Sequence, residues 1–436
     1  MKPALKLRCI LINPWVYDFS AHSLWSRPLG LLEVAGFMSR FNVDLRLVDC
    51  TGEFRQRRFG TGKYPFEPAE KPRALRDVPR RYKRFGMGRE EFKGRLRALP
   101  FPDVIFVTSL MTYWYPGVVE AVETVKALAP RVPVVLGGIY ATLHSGHALR
   151  HTGADFIHRG PVGNGLRAAL RTFGFRLRQR RPPLPYHRLG LYEKYPFAPV
   201  LTSTGCPFGC PYCASALLSD GFRQRDPGEV ATQIRELYGM GVRDFAFYDD
   251  ALLVDSEGHI KEILRDIAPF VPGARFHCPN GLHAALLDGG LARLMRLAGF
   301  RTIRLSLETV SPDRQRACGG KVTGEDVARA VGHLKRNGFG KEHIGVYLMY
   351  GLPGQPLEEV KEGVEFIKAL GVMVKLTEFS PIPGTPCWQE LKESGVITEG
   401  MDPLLTNNSV FSLLYSGYDP AELDALKLEV KAYNSS

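Results

Sequence analysis

Cysteine is scarce in this chain: eight residues in 436 are too dilute for a disulfide scaffold. Five of them, Cys9, Cys50, Cys278, Cys318 and Cys387, show no paired spacing. They read as ordinary buried or half-buried thiols, and a reducing cytoplasm is the expected compartment. Long apolar runs are missing as well. The uncharged stretch from Phe197 to Ser219 is broken by prolines, glycines and cysteines, so no bilayer-spanning helix is expected. The opening "MKPALKLRCILINPW" puts positive charge before an apolar run, but Asn13 and Pro14 stop that run early and no small-residue cleavage site follows. No secretory signal is expected. Heptads, low-complexity tracts and short repeats are absent, which excludes coiled coils and solenoids.

Acidic residues are also in deficit, 45 against 57 Lys and Arg, for a net charge of +12. The imbalance is local, because residues 51–100 hold fifteen Lys/Arg against six Asp/Glu. Such a segment is either a solvated insertion or a docking face for nucleic acid, a phosphorylated cofactor tail or an acidic protein. Phe59, Tyr64, Phe66, Tyr82 and Phe85 are interleaved with the charges, but no nucleic-acid fold signature accompanies them. The solvated insertion is the expectation, and nucleic acid is not an expected partner.

What is present is enough apolar material, 44% of the chain, for two domains. The first ~165 residues alternate strand and helix patterns: "LRCILI", a helix from about Gly30 to Arg40, "VDLRLV", "DVIFVT", a helix from Gly117 to Ala129, "VPVVLGG" and "ADFIH". This predicts an α/β fold, a Rossmann-like doubly wound parallel sheet over residues 1–170 with the basic insertion at 51–100. Gly137 and Gly138, directly after a buried strand, would let backbone approach a ligand at the strand ends; a tight turn explains them equally well. Arginines and prolines at 171–195 read as a linker.

From Pro199 the alternation resumes with six expected strands, "VLTS", "FAFY", "RFHC", "IRLSL", "GVYLMY" and "VKLTEFS". Unit spacings of roughly thirty to forty-five residues suit βα units, so residues 196–388 are expected to form a partial (β/α)6 barrel, followed by a polar helical tail at 389–436. Irregular residues fall just after each strand: the cysteines, "DD", "PNG", "ET", "GLPG" and "PIPGT". Parallel barrel strands would bring all six to one face, where chemistry is placed.

The cysteines are Cys206, Cys210 and Cys213 in "TGCPFGCPYCAS". Structural zinc needs four ligands, usually as two separated pairs, and there is no second CxxC, so zinc fits poorly. Three thiolates spaced CxxxCxxC suit a 4Fe-4S cluster with one iron left open.

At these motifs the second half, about Pro199 to Trp388, resembles the radical S-adenosylmethionine (SAM) enzymes. The resemblance implies that Cys206, Cys210 and Cys213 hold the cluster, that its open iron binds the amino and carboxylate groups of SAM, and that reduction cleaves SAM to methionine and a 5'-deoxyadenosyl radical. It places Tyr212 at the aromatic position next to adenine. Asp249, with Asp250 beside it, takes the acidic position supporting the SAM amino group, and helix capping is the rival role for both. Glu308 falls at a SAM-contacting position with Ser306 as companion, Gly351 lies beside adenine, and Pro381 belongs to the "SPIPGTP" segment that closes over it. A carboxylate suits an ammonium or ribose hydroxyl. The implied partners are a substrate and an electron donor such as a flavodoxin or ferredoxin.

The N-terminal half resembles the cobalamin-binding domain of one radical SAM subfamily through "INPW", "RPLGLLEVAGFMSRF" and "VPVVLGGIYATL". That implies a corrinoid over the sheet edge and an enzyme that moves methyl groups. The DxHxxG signature is absent; "DFSAH" (Asp18, His22) lies in the expected loop at the wrong spacing, and Tyr140 stands where relatives have His. Binding without a lower histidine and loss of the cofactor both fit. His144, His147 and His151 could share a helical face as a metal site, but a partly solvated face is the expectation. Three functions follow: a cobalamin-dependent radical SAM enzyme that methylates an unactivated carbon, a cobalamin-free radical SAM enzyme whose first domain binds substrate or a partner, and a non-catalytic iron-sulfur module for nucleic acid.

Overall fold

The structure is a computed structural model that describes residues 6–52, 55–56, 61–177, 189–193 and 196–436. Phe59 and positions 178–188 of the expected linker lie outside the described residues. The chain divides into two compact units, Met1–Tyr195 and Pro196–Ser436.

The first unit is built on five parallel strands: β1 (Leu7–Asn13), β2 (Val43–Asp49), β3 (Val104–Val107), β4 (Val134–Leu136) and β5 (Phe156–Ile157). From Cys9 onward β1 is buried at every residue, because helices cover both faces of such a sheet. Cys9 and Leu11 pack with Leu31, Ala35 and Met38 of helix Leu29–Met38 and with Leu166 and Leu170. The spatial order is β5-β4-β3-β1-β2. This is the 2-1-3-4-5 order of doubly wound sheets, not the 3-2-1-4-5-6 order, and it puts the topological switch between β1 and β3.

Two expectations in this unit need correction. The basic segment is not a solvated insertion. Lys83–Phe85 pairs antiparallel with Val16–Asp18 and with Phe66–Pro68, and Leu75, Val78, Tyr82, Phe85, Met87 and Phe92 are buried. Tyr82 packs against Tyr17 and Phe19, and the buried Arg84 donates to the Met87 carbonyl (2.9 Å) while pairing with Glu67. Tyr82 and Phe85 serve a core, with Tyr64 packed partly buried against Phe85's cluster, whereas Phe66 is half exposed. Nor do the three histidines share one helix, because the chain breaks at His144 between Ile139–Leu143 and Ser145–His151. The His147 and His151 rings stack 4.0 Å apart, and the His147 Nδ1 is 2.6 Å from the Tyr140 hydroxyl.

The second unit is a run of six parallel strands in sequence order: β6 (Ala198–Val200), β7 (Asp244–Phe247), β8 (Arg275–His283), β9 (Phe300–Glu308), β10 (Ile344–Tyr350) and β11 (Met373–Glu378). β6 ends before Thr202 and Ser203, which "VLTS" had placed inside it. Three of the helices between strands start on side-chain caps: Asp226 accepts from the Glu229 amide, Asp288 from the Leu291 amide, and Thr323 forms a capping box with Asp326. Phe245, Phe247, Phe276 and Phe300 stack across three strands.

The tail does more than extend the chain. Asn434, in helix Pro420–Ser435, accepts from the Val374 amide (3.0 Å) and donates to the Val374 carbonyl (2.7 Å). It thereby satisfies backbone groups on the outer edge of β11 that would otherwise be open for strand pairing. Phe411 packs on Phe379, and Ser380 donates to the Thr406 carbonyl.

Candidate active site

The three cysteines lie on the loop after β6. Gly205 precedes them at φ +74°, and a Cβ there would stand 2.4 Å from the Gly221 carbonyl oxygen, so glycine is required for the turn. The Cys213 amide closes a turn on the Cys210 carbonyl (3.1 Å), and the Ser215 hydroxyl lies 3.2 Å from the Cys213 sulfur. All three thiols are half-buried. Burial pushes the Cys206 thiol up, and the nearby Cys213, Cys210 and Asp250 add to the effect. Among the described residues no three Cys, His, Asp or Glu side chains group to hold a single ion; a cubane instead gives each thiolate its own iron.

Other segments pack onto this loop. The Cys387 amide donates to the Pro211 carbonyl (3.0 Å), and a Cβ on Gly384 would meet Leu217 at 3.1 Å, so the segment carrying the buried Pro381 lies against it. Tyr212 packs with Cys318, Leu352, Phe379 and Cys387. Its hydroxyl is buried beside Cys210, and burial, with Glu308 and Cys210 close by, raises its pKa.

The two aspartates after β7 divide their labour. Asp249 is buried, and its Oδ1 accepts from the Thr202 amide (2.9 Å), the Thr202 hydroxyl (2.8 Å), the Ser203 amide and the Ser203 hydroxyl (2.7 Å). One oxygen thus pins the start of the cysteine loop, while Oδ2 is buried without a partner among the described residues. Burial raises this carboxyl to about 6 against those hydrogen bonds. Asp250 is solvent-accessible and lies by Ser215 and Cys206; enclosure raises its carboxyl and a Ser215 hydrogen bond opposes that. Asn280 ties the "PNG" segment to this turn by donating to the Tyr248 carbonyl (2.9 Å).

At the end of β9, Glu308 has φ +68°, a conformation that a non-glycine residue holds only when its surroundings enforce it. The β9–β10 register shifts between Ser306 and Glu308. Glu308 pairs with Lys321 at 3.3 Å with both side chains largely buried, and Lys321 reaches over the Tyr212 ring. Burial alone would lower the Lys321 pKa, but Glu308 and Cys210 hold it above its ordinary value. Ser306 is buried opposite His283 in the strand register. Gly351 (φ +80°) is approached by protein: a Cβ there would be 3.0 Å from the Ser412 hydroxyl, and its amide donates to the Tyr418 hydroxyl at 3.2 Å.

In the first unit Gly138 (φ +97°) is required by packing, since a Cβ would stand 2.2 Å from the Ser109 carbonyl oxygen. Gly137 is not so confined, with no neighbour nearer than 3.9 Å. The carbonyl end of β4 is thus a tight turn at Gly138, while a Cβ at Gly137 would make only ordinary contact with His158. Asp18 is buried and accepts from the Trp114 indole (2.6 Å), while His22 is exposed with Nε2 3.0 Å from the Ser20 hydroxyl.

The cysteine loop, Asp250, Glu308 and the Pro381 segment therefore share one end of the barrel, whereas Gly351 faces the tail and Gly137 and Gly138 belong to the other unit. Lys321 and His283 belong to the site but do not stand out in the sequence. His283 stacks on Phe208 at 3.9 Å with its Nε2 buried and without a partner among the described residues, and burial, then Lys321, lowers its pKa to about 4. Lys321 follows the Gly-Gly pair of "ACGGK", the one signal it leaves; Gly319 packs against Cys210. Cys318, expected to be an ordinary thiol, is buried in this same cluster, and burial raises it to about 11.

A three-thiol loop at the carboxyl end of a six-stranded parallel barrel, with carboxylates and unpartnered polar atoms around it, defines an enzyme of the radical SAM class. Residues 200–367 match the radical SAM superfamily and residues 86–170 match the B12 binding domain. The second unit thus carries a radical SAM domain and the first a match to the B12 binding domain; the radical SAM domain implies a 4Fe-4S cluster and SAM as cofactors. It is 25% identical over 326 residues to an uncharacterized methyltransferase of Pyrococcus horikoshii, an alignment spanning 66% of this chain and 69% of that protein. It is 22% identical over 284 residues to the hopanoid C-2 methylase of Rhodopseudomonas palustris, spanning 61% of this chain and 53% of that one. In fold it is similar to the radical SAM methyltransferase TsrM of Kitasatospora setae, solved with cobalamin and a 4Fe-4S cluster bound. That likeness has a TM-score of 0.65 at 18% identity and covers 89% of this chain and 75% of the other. No helix among the described residues is long and apolar enough to cross a membrane.

Proposed function

We propose that this radical SAM enzyme is a cobalamin-dependent methyltransferase acting on an unactivated carbon. The observation that carries the reading is the presence, in one chain, of the three-thiol barrel loop and a B12-binding sheet with its switch point between β1 and β3. When bound, the cluster supplies an electron to SAM and the corrinoid supplies a carrier for the methyl group. Cys206, Cys210 and Cys213 would each hold one iron. Asp250 and the free oxygen of Asp249 offer negative charge to an ammonium, and Glu308, held by Lys321, offers acceptors to a hydroxyl or ammonium. Tyr212 and the Pro381 segment wall the apolar side and exclude water. Gly137, less confined than Gly138, lies at the β4 end where a flat ligand would approach, and Asp18 accepts from the Trp114 indole.

The alternative, radical SAM chemistry without cobalamin, is favoured by one observation only, the engagement of Asp18 with Trp114. The deciding experiment is cobalt and corrinoid content of the full chain purified without oxygen from a host supplied with cobalamin. Near one cobalt per chain is expected, with SAM converted to S-adenosylhomocysteine. An intact cluster without corrinoid would overturn the methyltransferase reading. Cys210→Ala is expected to remove cluster iron and SAM cleavage together. The proposed setting is the cytoplasm, with a flavodoxin or ferredoxin as the one-electron donor.

A further inference from the structure

Below the site, two cations on the barrel strands have no counter-charge among the described residues. Arg304 lies on β9, two residues before Ser306 and on the same face; at about 3.3 Å per residue it is about 13 Å along the strand from Glu308. Lys375 lies on β11 opposite Tyr347 of β10 in register. Gly345, on β10 between them, gives both side chains room: a Cβ there would stand 3.1 Å from Arg304 Nη1 and 3.1 Å from Lys375 Cγ. Arg304 Nη1 is fixed by the carbonyls of Ile303 (3.1 Å) and His343 (3.2 Å), leaving Nε and Nη2 without a partner among the described residues. Lys375 has no ion pair or hydrogen bond among them. The ionisable groups near Arg304 are Tyr347, Cys278, His277 and Lys375, none of them a carboxylate. Burial lowers both cations, and Arg304 helps bring Lys375 down to about 8. β11 is the last strand, and a recess of about 350 Å³ lined by Lys375, Lys427, Lys431 and Asn434 opens beside it, so this position is reachable from the sheet edge.

Two like charges kept close and partly desolvated are unfavourable unless an anion joins them. We propose that the enzyme binds its substrate through an oxyanion, a carboxylate or phosphate, held between Arg304 and Lys375. The substrate is then an anionic small molecule long enough to reach from that group towards the site end of the barrel, where Glu308 lies about 13 Å further along the strand. The inference rests on the reading of the barrel as a catalytic radical SAM domain.

The test uses the full chain with its cluster reconstituted without oxygen. Acylation of Lys375 by an amine reagent is mapped by mass spectrometry, with inorganic phosphate or succinate as probe and the exposed Lys392 as internal control. Saturating probe is expected to slow Lys375 acylation about tenfold, the scale of one charge-assisted contact, and to leave Lys392 unchanged. Arg304→Gln should abolish the protection and Arg304→Lys should retain part of it, while both variants keep the wild-type circular dichroism spectrum and cluster iron content. Protection by phosphate alone marks a phosphate ester, by succinate alone a carboxylate, and by both a shared oxyanion site. Protection by neither, or protection unchanged in Arg304→Gln, overturns the inference. Wild-type protein that fails to cleave SAM yet shows protection overturns the catalytic reading and leaves the anion site standing.

Discussion

Asp249 separates a structural role from a ligand-binding role within one carboxylate, and Asp249→Asn tests that division. The wild-type carboxyl is raised from an ordinary value of 3.8 to about 6 by burial. A raised folded pKa means that the folded state binds the proton more tightly, so the wild type gains stability as pH falls through 6 and loses it as pH rises. Between pH 7 and pH 5 the wild type should gain about 1 kcal/mol relative to Asp249→Asn, which has no titrating group. The amide keeps one oxygen for the donors of Thr202 and Ser203, so its stability at pH 7 should stay within about 1 kcal/mol of wild type. Asp249→Ala removes the acceptor of four hydrogen bonds and should cost about 3 kcal/mol or more. Urea unfolding of the apo chain at the two pH values measures all three. If Asp249→Asn keeps the wild-type pH slope, the carboxyl does not titrate in this range and the burial argument fails. SAM binding should weaken in Asp249→Asn although the fold holds, because the Oδ2 position no longer carries charge.

Lys321→Met leaves the Glu308 carboxylate buried without its partner. It should cost about 3 kcal/mol in urea unfolding, and most of that should disappear when Glu308→Gln is added; a zero coupling energy would show the pair to be incidental. In the first unit, Gly138→Ala should lower stability by more than about 2 kcal/mol or prevent folding, whereas Gly137→Ala should stay within about 1 kcal/mol while reducing corrinoid retention. Equal effects on stability would refute the division of the pair. Asn434→Ala should cost about 1 kcal/mol and increase aggregation seen by light scattering, because it frees the Val374 groups on the β11 edge. His283 is held neutral by burial, with a pKa near 4; relative to His283→Gln, the wild type should lose stability as pH falls below about 6.5 towards 4.

Much of this protein was legible in the order of its residues. The buried runs "LRCILI" and "VPVVLGG" and the six strand patterns after Pro199 specify parallel strands, because helices on both faces force near-continuous apolar sequence. The triplet Cys206, Cys210 and Cys213 is local, so its spacing could be read directly. What could not be read depends on contacts between segments far apart in the chain. The strand order that puts the switch between β1 and β3, the packing of Tyr82 and Arg84 into a core, and the capping of β11 by Asn434 are set by packing. Sequence assigned both glycines of the 137–138 pair one role; only the nearness of Ser109 shows which of them the backbone requires. It named Asp249 for the SAM amino group with Asp250 as its neighbour, and could not show that the fold turns Asp249 onto Thr202 and Ser203 and Asp250 towards Ser215. Lys321, His283, Arg304 and Lys375 are single polar residues with no pattern of their own. Their roles exist only because strand register and burial place a charge beside another charge, and no one-dimensional spacing encodes the desolvation that gives such a pair its force.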